Sequence, residues 1–293
     1  MAQAIEELRP RAFAIAYRML GRVSEAEDIV QEALLRLHNA GVEVESPLAY
    51  LSTVVTRLAI DELRSARVRR EQYVGEWLPE PLLTSEQDDP AHRAELADSL
   101  SLAFLVLLET LSPEQRAVFL LRDVFDYPYE QIARIVQRSE AAVRKLASRA
   151  RRRVAERRPR YEASREQRER LANRFFAAVA SGDLQRLESL LAADATLYGD
   201  GGGNVPALGR PLHGRGRVAR TLLAWARAPR EGGLTVRLVE VNGQPGALAL
   251  DGDGRLISVV SLHIGDGRVR AVTSTVNPDK LSHLGLPVRS SSA

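Results

Sequence analysis

Cysteine is absent from the 293-residue chain, which excludes a disulfide framework, a thiolate metal site and a cysteine nucleophile together. Lysine is nearly absent, since Lys145 and Lys280 are the only two among 41 basic residues. No apolar run approaches the roughly 20 residues needed to span a bilayer. The opening residues have neither a basic leader nor an apolar signal core, so the expectation is a cytoplasmic protein without a membrane partner. No period of 20 to 50 residues recurs, which excludes a solenoid. The five histidines are scattered and form no ligand pair, and Asp251, Asp253 and Gly254 lack the other positions of a calcium loop. Asp200 to Asn204 lacks the lysine and hydroxyl of a phosphate loop. No metal, cofactor or catalytic residue is therefore expected.

What is present is enough apolar sequence, 45%, for two or three compact units. The net charge of +3 hides two local extremes. Arg144 to Arg160 carries nine basic residues against Glu156, and Glu71 to Asp98 carries eight acidic residues against Arg93. A basic helix and an acidic linker both call for partners, or are solvated runs.

The first segment reads as helical. Phe13, Tyr17 and Leu20 share one stripe, as do Ile29, Val30, Ala33, Leu34 and Leu37. Gly21 ends the first helix. Ser24 with Glu27 predicts a capping box for the second, and Ser46 with Pro47 opens a third through Leu63. Tyr73 to Leu82 (YVGEWLPEPL) holds a glycine and two prolines and breaks the helical pattern. Helix resumes near Ala91, and Ser112, Pro113 and Gln115 give another capped start. Tyr129 to Val136 predicts a short helix, Gln137 and Arg138 a turn, and Ser139 the cap of a second helix that turns Val143, Ala147 and Ala150 inward.

From about Arg165 a long helix and a short one (Leu184 to Leu191) are followed by strand-like runs at Thr235 to Val241, Ala247 to Leu250, Ile257 to Ile264 and Val269 to Val276. Asp251 to Gly254 and Gly265 to Gly267 are predicted hairpin turns. This is an α+β unit with a curled antiparallel sheet. The predicted divisions are 1–72, an acidic linker 73–97, 98–160, 165–286 and a disordered tail 287–293.

A short helix, a tight turn and a capped arginine-rich helix form a helix-turn-helix, whose second helix enters the major groove. Ser139, Glu140, Ala142, Arg144, Lys145, Ser148, Arg149 and Arg152 fall on or near its outer face, where basic groups reach phosphates and guanine edges. The runs SEAEDIVQEALLRL (Ser24 to Leu37), SPLAYLSTVVTRLAIDELRSARVRR (Ser46 to Arg70) and Leu111 to Val154 resemble the extracytoplasmic-function sigma factors of bacterial RNA polymerase, in the expected order and spacing. The resemblance implies two all-α sigma domains and two partners, promoter DNA and core polymerase, the latter through its beta-prime clamp helices and beta flap. It implies that Glu25, Glu27, Asp28, Gln31 and Glu32 face the polymerase. Arg57, Asp61, Arg64, Arg67, Arg69 and Arg70 would serve the minus-10 element, and the helix-turn-helix would read the minus-35 element. Many members carry asparagine where this chain has Arg57.

The remaining residues resemble a SnoaL-like cone, which one subgroup of these factors carries at its C-terminus in place of a separate anti-sigma protein. Three motifs mark it: Trp77, Leu78, Pro79, Glu80 and Pro81 (WLPEP); Asp200, Gly201, Gly202, Gly203 and Asn204 (DGGGN); and Asn277, Pro278, Asp279, Lys280 and Leu281 (NPDKL). The resemblance implies regulation of the sigma core in cis through contacts among them, with no anti-sigma factor required. Asn204 stands where a lysine is usual. An unidentified small-molecule effector is a further candidate partner of the cone. Two rival readings remain at this point: a helix-turn-helix regulator with a small-molecule domain, and a cone enzyme using Asp194, Asp200, His213 or His263.

Overall fold

The computed structural model describes residues 7–39, 46–71, 73–84, 99–155, 164–228 and 233–289, with the side chains of 66–71 left out. The chain forms two compact units. One joins residues 1–72 to 105–158, and the other joins 73–104 to 159–293.

In the first unit, α1 (Arg9–Leu20), α2 (Val23–Asn39) and α3 (Pro47–Glu71) pack on one another. Their stripes bury Ile15, Tyr17, Leu20, Val30, Leu37, Leu51, Val55 and Ala59. Gly21 ends α1 with φ of 70°, a left-handed conformation that glycine adopts without a Cβ penalty. Helix α2 begins at Val23, so Ser24 lies inside the first turn and is not the predicted cap. Ser46 does cap α3, its hydroxyl accepting from Ala49 N at 3.3 Å.

Further along, α4 (Leu102–Leu108) leads to α5 (Pro113–Phe119), whose start is a complete capping box between Ser112 and Gln115. The segment Ala91–Asp98, where helix was expected to resume, lies outside the described residues. A π-turn (Leu120–Val124) follows, then α6 (Tyr129–Val136) and α7 (Glu140–Ala155). Gln137 takes φ of 54° between them, and Ser139 caps α7 through Ala142 N. Val143, Ala147, Ala150 and Val154 are buried, which fixes the opposite face of α7 outward.

The second unit holds α8 (Arg165–Ser181), α9 (Leu184–Leu190), α10 (Arg215–Arg227) and α11 (Pro278–Leu281) on a seven-stranded sheet. Its strands are β1 (Leu83–Thr84), β2 (Leu191–Asp200), β3 (Leu212–His213), β4 (Thr235–Val241), β5 (Gln244–Leu250), β6 (Leu256–Gly265) and β7 (Arg268–Thr275), in the order β1-β4-β5-β6-β7-β2-β3. The sheet is mixed, because β2 runs parallel to β7 while the other pairs are antiparallel. This corrects the all-antiparallel expectation. Both predicted hairpins form. A third turn, at Asn242 and Gly243 with φ of 52° and 70°, joins β4 to β5.

Strand periodicity divides the sheet into two faces. Leu197, Val272 and Leu262 are cross-strand neighbours that pack with Leu171, Phe175, Leu187, Val218 and Leu222 of the helices. Asp200, Thr275, Val259 and Leu248 form a row of the opposite parity. They are also buried, so this face has a cover of its own. The chain end is held as well: Leu256 N donates to Pro287 O at 2.7 Å and Arg289 N to Leu256 O at 3.0 Å. That revises the expected disordered tail for residues 287–289, while 290–293 lie outside the described residues.

Candidate functional site

Three surfaces carry the residues singled out by sequence. The first is the outer face of α7. Ser139, Glu140, Arg144, Lys145, Ser148, Arg149 and Arg152 are exposed and Ala142 is half-buried. Arg144 is not idle: it pairs with Glu140 and lies over the Tyr129 ring at 4.4 Å. Arg151 and Arg153 are drawn inward, to Asp123 at 2.7 Å and to Thr110 O at 2.8 Å. Lys145, Arg149 and Arg152 therefore form the cationic edge, with no ion pair among the described residues.

The second is α2. Asp28, Gln31 and Glu32 are exposed, Glu32 with an ion pair to Arg36 at 2.7 Å, whereas Glu25 and Glu27 are half-buried and pair with Arg22 and Arg9. One turn beyond Gln31 and Glu32 stands Leu35, 50% accessible, an apolar point that sequence reasoning missed beside its half-buried neighbour Leu34. On α3 the expected group is split. Asp61 and Arg64 pair with each other, and Arg64 also reaches Glu114 at 2.6 Å. Arg57 donates to Ile135 O and Arg134 O, both at 2.9 Å. The side chains of Arg67, Arg69 and Arg70 lie outside the described residues.

The third surface is the cover of the sheet's second face, where all three SnoaL-type motifs meet. Asp200 is fully buried at the end of β2. Its carboxylate accepts from Leu78 N at 2.8 Å, Gly202 N at 3.1 Å and the Tyr73 hydroxyl, and pairs with Lys280 Nζ at 2.6 Å. Lys280, 3% exposed, also donates to Leu78 O and lies 4.8 Å from the Tyr73 ring centre and 4.4 Å from that of Trp77. A desolvated ammonium under two aromatic faces gains quadrupole attraction as well as its ion pair. Each buried charge is thus paired and hydrogen-bonded, the condition under which burial is tolerated.

The glycines of DGGGN have steric reasons. A Cβ on Gly201 would lie 2.2 Å from Val205 O, and one on Gly202 would lie 2.2 Å from Asn277 Nδ2. Gly202 and Gly203 also take φ of 61° and 77°. Asn204 meets Asp279 at 3.1 Å, so it reaches the NPDKL motif without a lysine's charge. Asn277 caps α11 through Asp279 N and donates to the Tyr73 hydroxyl at 3.0 Å.

Beyond WLPEP the linker continues as an added strand. Leu83 and Thr84 pair with Val241 and Glu240, Asn242 exchanges two 2.8 Å bonds with Leu82 and donates to Leu100 O, and His283 meets Pro81 O at 2.9 Å. Tyr73, Asn242, His283 and β1 were not foreseen. Only the Asn242–Gly243 pair offered a local signal, that of a hairpin turn. Glu76, beside this cluster, has its carboxyl held above the ordinary value by burial and then by the Asp200 charge.

The enzymatic candidates do not assemble. Asp194 is 80% exposed and near Arg270, Asp200 is committed to the linker, and His213 bonds Thr196. A groove of about 580 Å³ between α8 and the β6–β7 turn is lined by Arg170, Leu171, Arg174, Ile264 and Asp266, among others, and by none of those four candidates. Among the described residues no His, Asp and Glu cluster suits a metal and no helix is long and apolar enough to cross a membrane.

Comparison with known proteins agrees with this layout. The family models for sigma-70 region 2 and sigma-70 region 4 match residues 4–69 and 101–154. The chain is 38% identical to the extracytoplasmic-function sigma factor SigJ of Mycobacterium tuberculosis, over 97% of this chain and 93% of that protein. It is 34% identical to a probable sigma factor, SigI, of the same species over 92% and 91%. The crystal structure of M. tuberculosis SigJ superposes with a TM-score of 0.80 at 37% identity, covering 99% of this chain and all of that one. A regulator independent of polymerase is disfavoured, because region 2 is matched as well as the helix-turn-helix. With both regions present in order and whole-length similarity of this kind, the chain belongs to the extracytoplasmic-function sigma factors, with a SnoaL-like C-terminal extension.

Proposed function

We propose that this sigma factor directs promoter-specific initiation by core RNA polymerase in the cytoplasm, and that its output is set in cis by docking of the linker Tyr73–Thr84 on the SnoaL-like unit. The observation that carries the proposal is the buried Lys280–Asp200 pair, which holds both backbone groups of Leu78. Linker residues so buried are withheld from any polymerase channel, so undocking raises output. A separate anti-sigma protein is not needed for this control, and the extension acts as a regulator and not as an enzyme.

In the same reading, Asp28, Gln31, Glu32 and Leu35 on α2 meet the clamp helices. Lys145, Arg149 and Arg152 on α7 contact the minus-35 duplex, with Ser139 and Arg144 near its bases. Run-off transcription with core polymerase tests the control. Trp77→Ala and Lys280→Met are expected to raise transcript yield from an unchanged start site, and yields equal to the parent chain would remove the linker from the mechanism.

A further inference from the structure

On the helix-turn-helix one arginine is held differently from the rest. Lys145, Arg149 and Arg152 extend from the outer face of α7, and Arg151 and Arg153 are drawn inward. Arg144 is exposed too, yet it is fixed. Its Nε donates to Glu140 Oε1 at 3.0 Å and its Nη2 donates to the same oxygen. Its guanidinium carbon lies 4.4 Å from the centre of the Tyr129 ring. Tyr129 is the first residue of α6 and is itself braced. Arg122 approaches its ring at 5.2 Å, and Arg122 is anchored by Asp126 and by Tyr127 O, both at 3.0 Å. Arg151 stands nearby, its pKa raised first by its hydrogen bond to Asp123, with the Tyr129 side chain adding to it.

An arginine side chain gives up rotamer freedom when it is fixed on a base, and here the ring and the carboxylate have already fixed it. The guanidinium carries its N–H donors in one plane. Stacking on a ring face leaves the edges of that plane clear, and Glu140 takes up the Nε edge. The end-on fork of Nη1 and Nη2 remains, and its two parallel N–H groups match O6 and N7 of a guanine in the major groove. A phosphate asks for net positive charge instead. Glu140 offsets that charge at Arg144, whereas Lys145 and Arg149 keep theirs. Recognition helices of this kind set their N-terminal residues against base edges, and Arg144 opens the second turn of α7.

We propose that Tyr129 is a positioning residue for minus-35 recognition: its ring, together with Glu140, holds Arg144 ready to read one guanine, and Arg144 determines specificity at that base pair. Lys145, Arg149 and Arg152 supply affinity through phosphates without choosing sequence. This assignment rests on the sigma-factor reading of the helix-turn-helix, and it is independent of the linker latch.

The test is competition binding by the complex of the full chain with core polymerase. It uses a cognate promoter duplex and duplexes in which each minus-35 base pair is replaced in turn, at several salt concentrations. The parent is expected to prefer G·C at one position by roughly five- to a hundredfold, the worth of a bidentate contact from arginine to guanine. Arg144→Ala should flatten that preference alone, with discrimination at the other positions and the salt slope unchanged. Tyr129→Leu should flatten most of it as well, although Tyr129 is on α6 and not on the recognition helix, and Tyr129→Phe, which keeps the ring, should restore it. Circular dichroism checks that each variant is folded. Glu140→Ala, at an exposed position, removes the other support and should lower the same preference even where Tyr129→Leu does not fold. A salt slope lowered by about 1 in Arg144→Ala, with a uniform loss across sequences, would make Arg144 a phosphate contact and overturn the assignment. A guanine preference that survives in the Tyr129→Leu and Glu140→Ala variants would overturn the positioning role. A parent complex that binds the promoter no better than unrelated duplex would count against the sigma-factor reading itself, and the Arg144 assignment falls with it.

Discussion

Replacing Lys280 by methionine removes the cation from the linker latch while keeping a chain of similar length. Taking one partner from a buried ion pair costs about 3 to 5 kcal/mol. Asp200 would keep Leu78 N, Gly202 N and the Tyr73 hydroxyl as donors, so the lower end applies, about 3 kcal/mol, or roughly 100-fold in linker docking. Asp200→Asn should cost a similar amount, since the amide nitrogen turns one acceptor into a donor facing either Leu78 N and Lys280 or Gly202 N and the Tyr73 hydroxyl. The double variant should cost less than the sum by more than about 1 kcal/mol, because it leaves no unpaired buried charge. Urea unfolding followed by tryptophan fluorescence reports stability, with Trp77 lying directly over Lys280, and hydrogen exchange at the Leu78 amide reports docking. Unchanged Leu78 protection in Lys280→Met, or strictly additive costs, would refute the argument that the pair holds the linker.

Gly202→Ala should destabilise the SnoaL-like unit by more than the roughly 1 to 2 kcal/mol of a left-handed alanine, because its Cβ meets Asn277. Gly254→Ala, at φ of 76° with open space around it, should cost only that strain. Thermal unfolding compares the two. For Glu76 the sign follows from its raised pKa: the docked state binds a proton more readily than the undocked chain, so docking strengthens as pH falls through the raised value. Glu76→Gln should therefore tighten docking at neutral pH and lose its advantage in acid, read by exchange at Leu78. Lys145→Ala and Arg149→Ala should each weaken promoter binding by the polymerase complex and lower the salt-dependence slope by about 1, measured by titration at several salt concentrations.

Much of this organisation was legible because it is local. The helix-turn-helix announces itself through Ser139, the inward Val143, Ala147 and Ala150, and the turn at Gln137. The capping box at Ser112 is equally self-contained. Ser24 misled because the helix starts at Val23, two residues before a cap at Ser24 would start it. Strand β2 was missed because Leu191–Asp200 is stabilised by a parallel partner more than 70 residues away in sequence, and its alanines and aspartates carry weak strand propensity. Helix α10 was missed among the glycines that flank it. The three SnoaL-type motifs were visible as motifs, but that Lys280 would sit between Tyr73 and Trp77 depended on the fold. Arg57 was placed on the right helix, yet its partners on α6 are nonlocal and no pattern on α3 discloses them.

Run-off transcription from a cognate promoter with purified core polymerase, comparing the parent chain with Lys280→Met, tests control through the linker and promoter-specific initiation together. A promoter-specific transcript is expected from both, with the same start site and a higher yield from the variant. Equal yields would contradict control through the linker latch, and silence from both proteins in the presence of active core polymerase would contradict promoter-specific initiation by this chain.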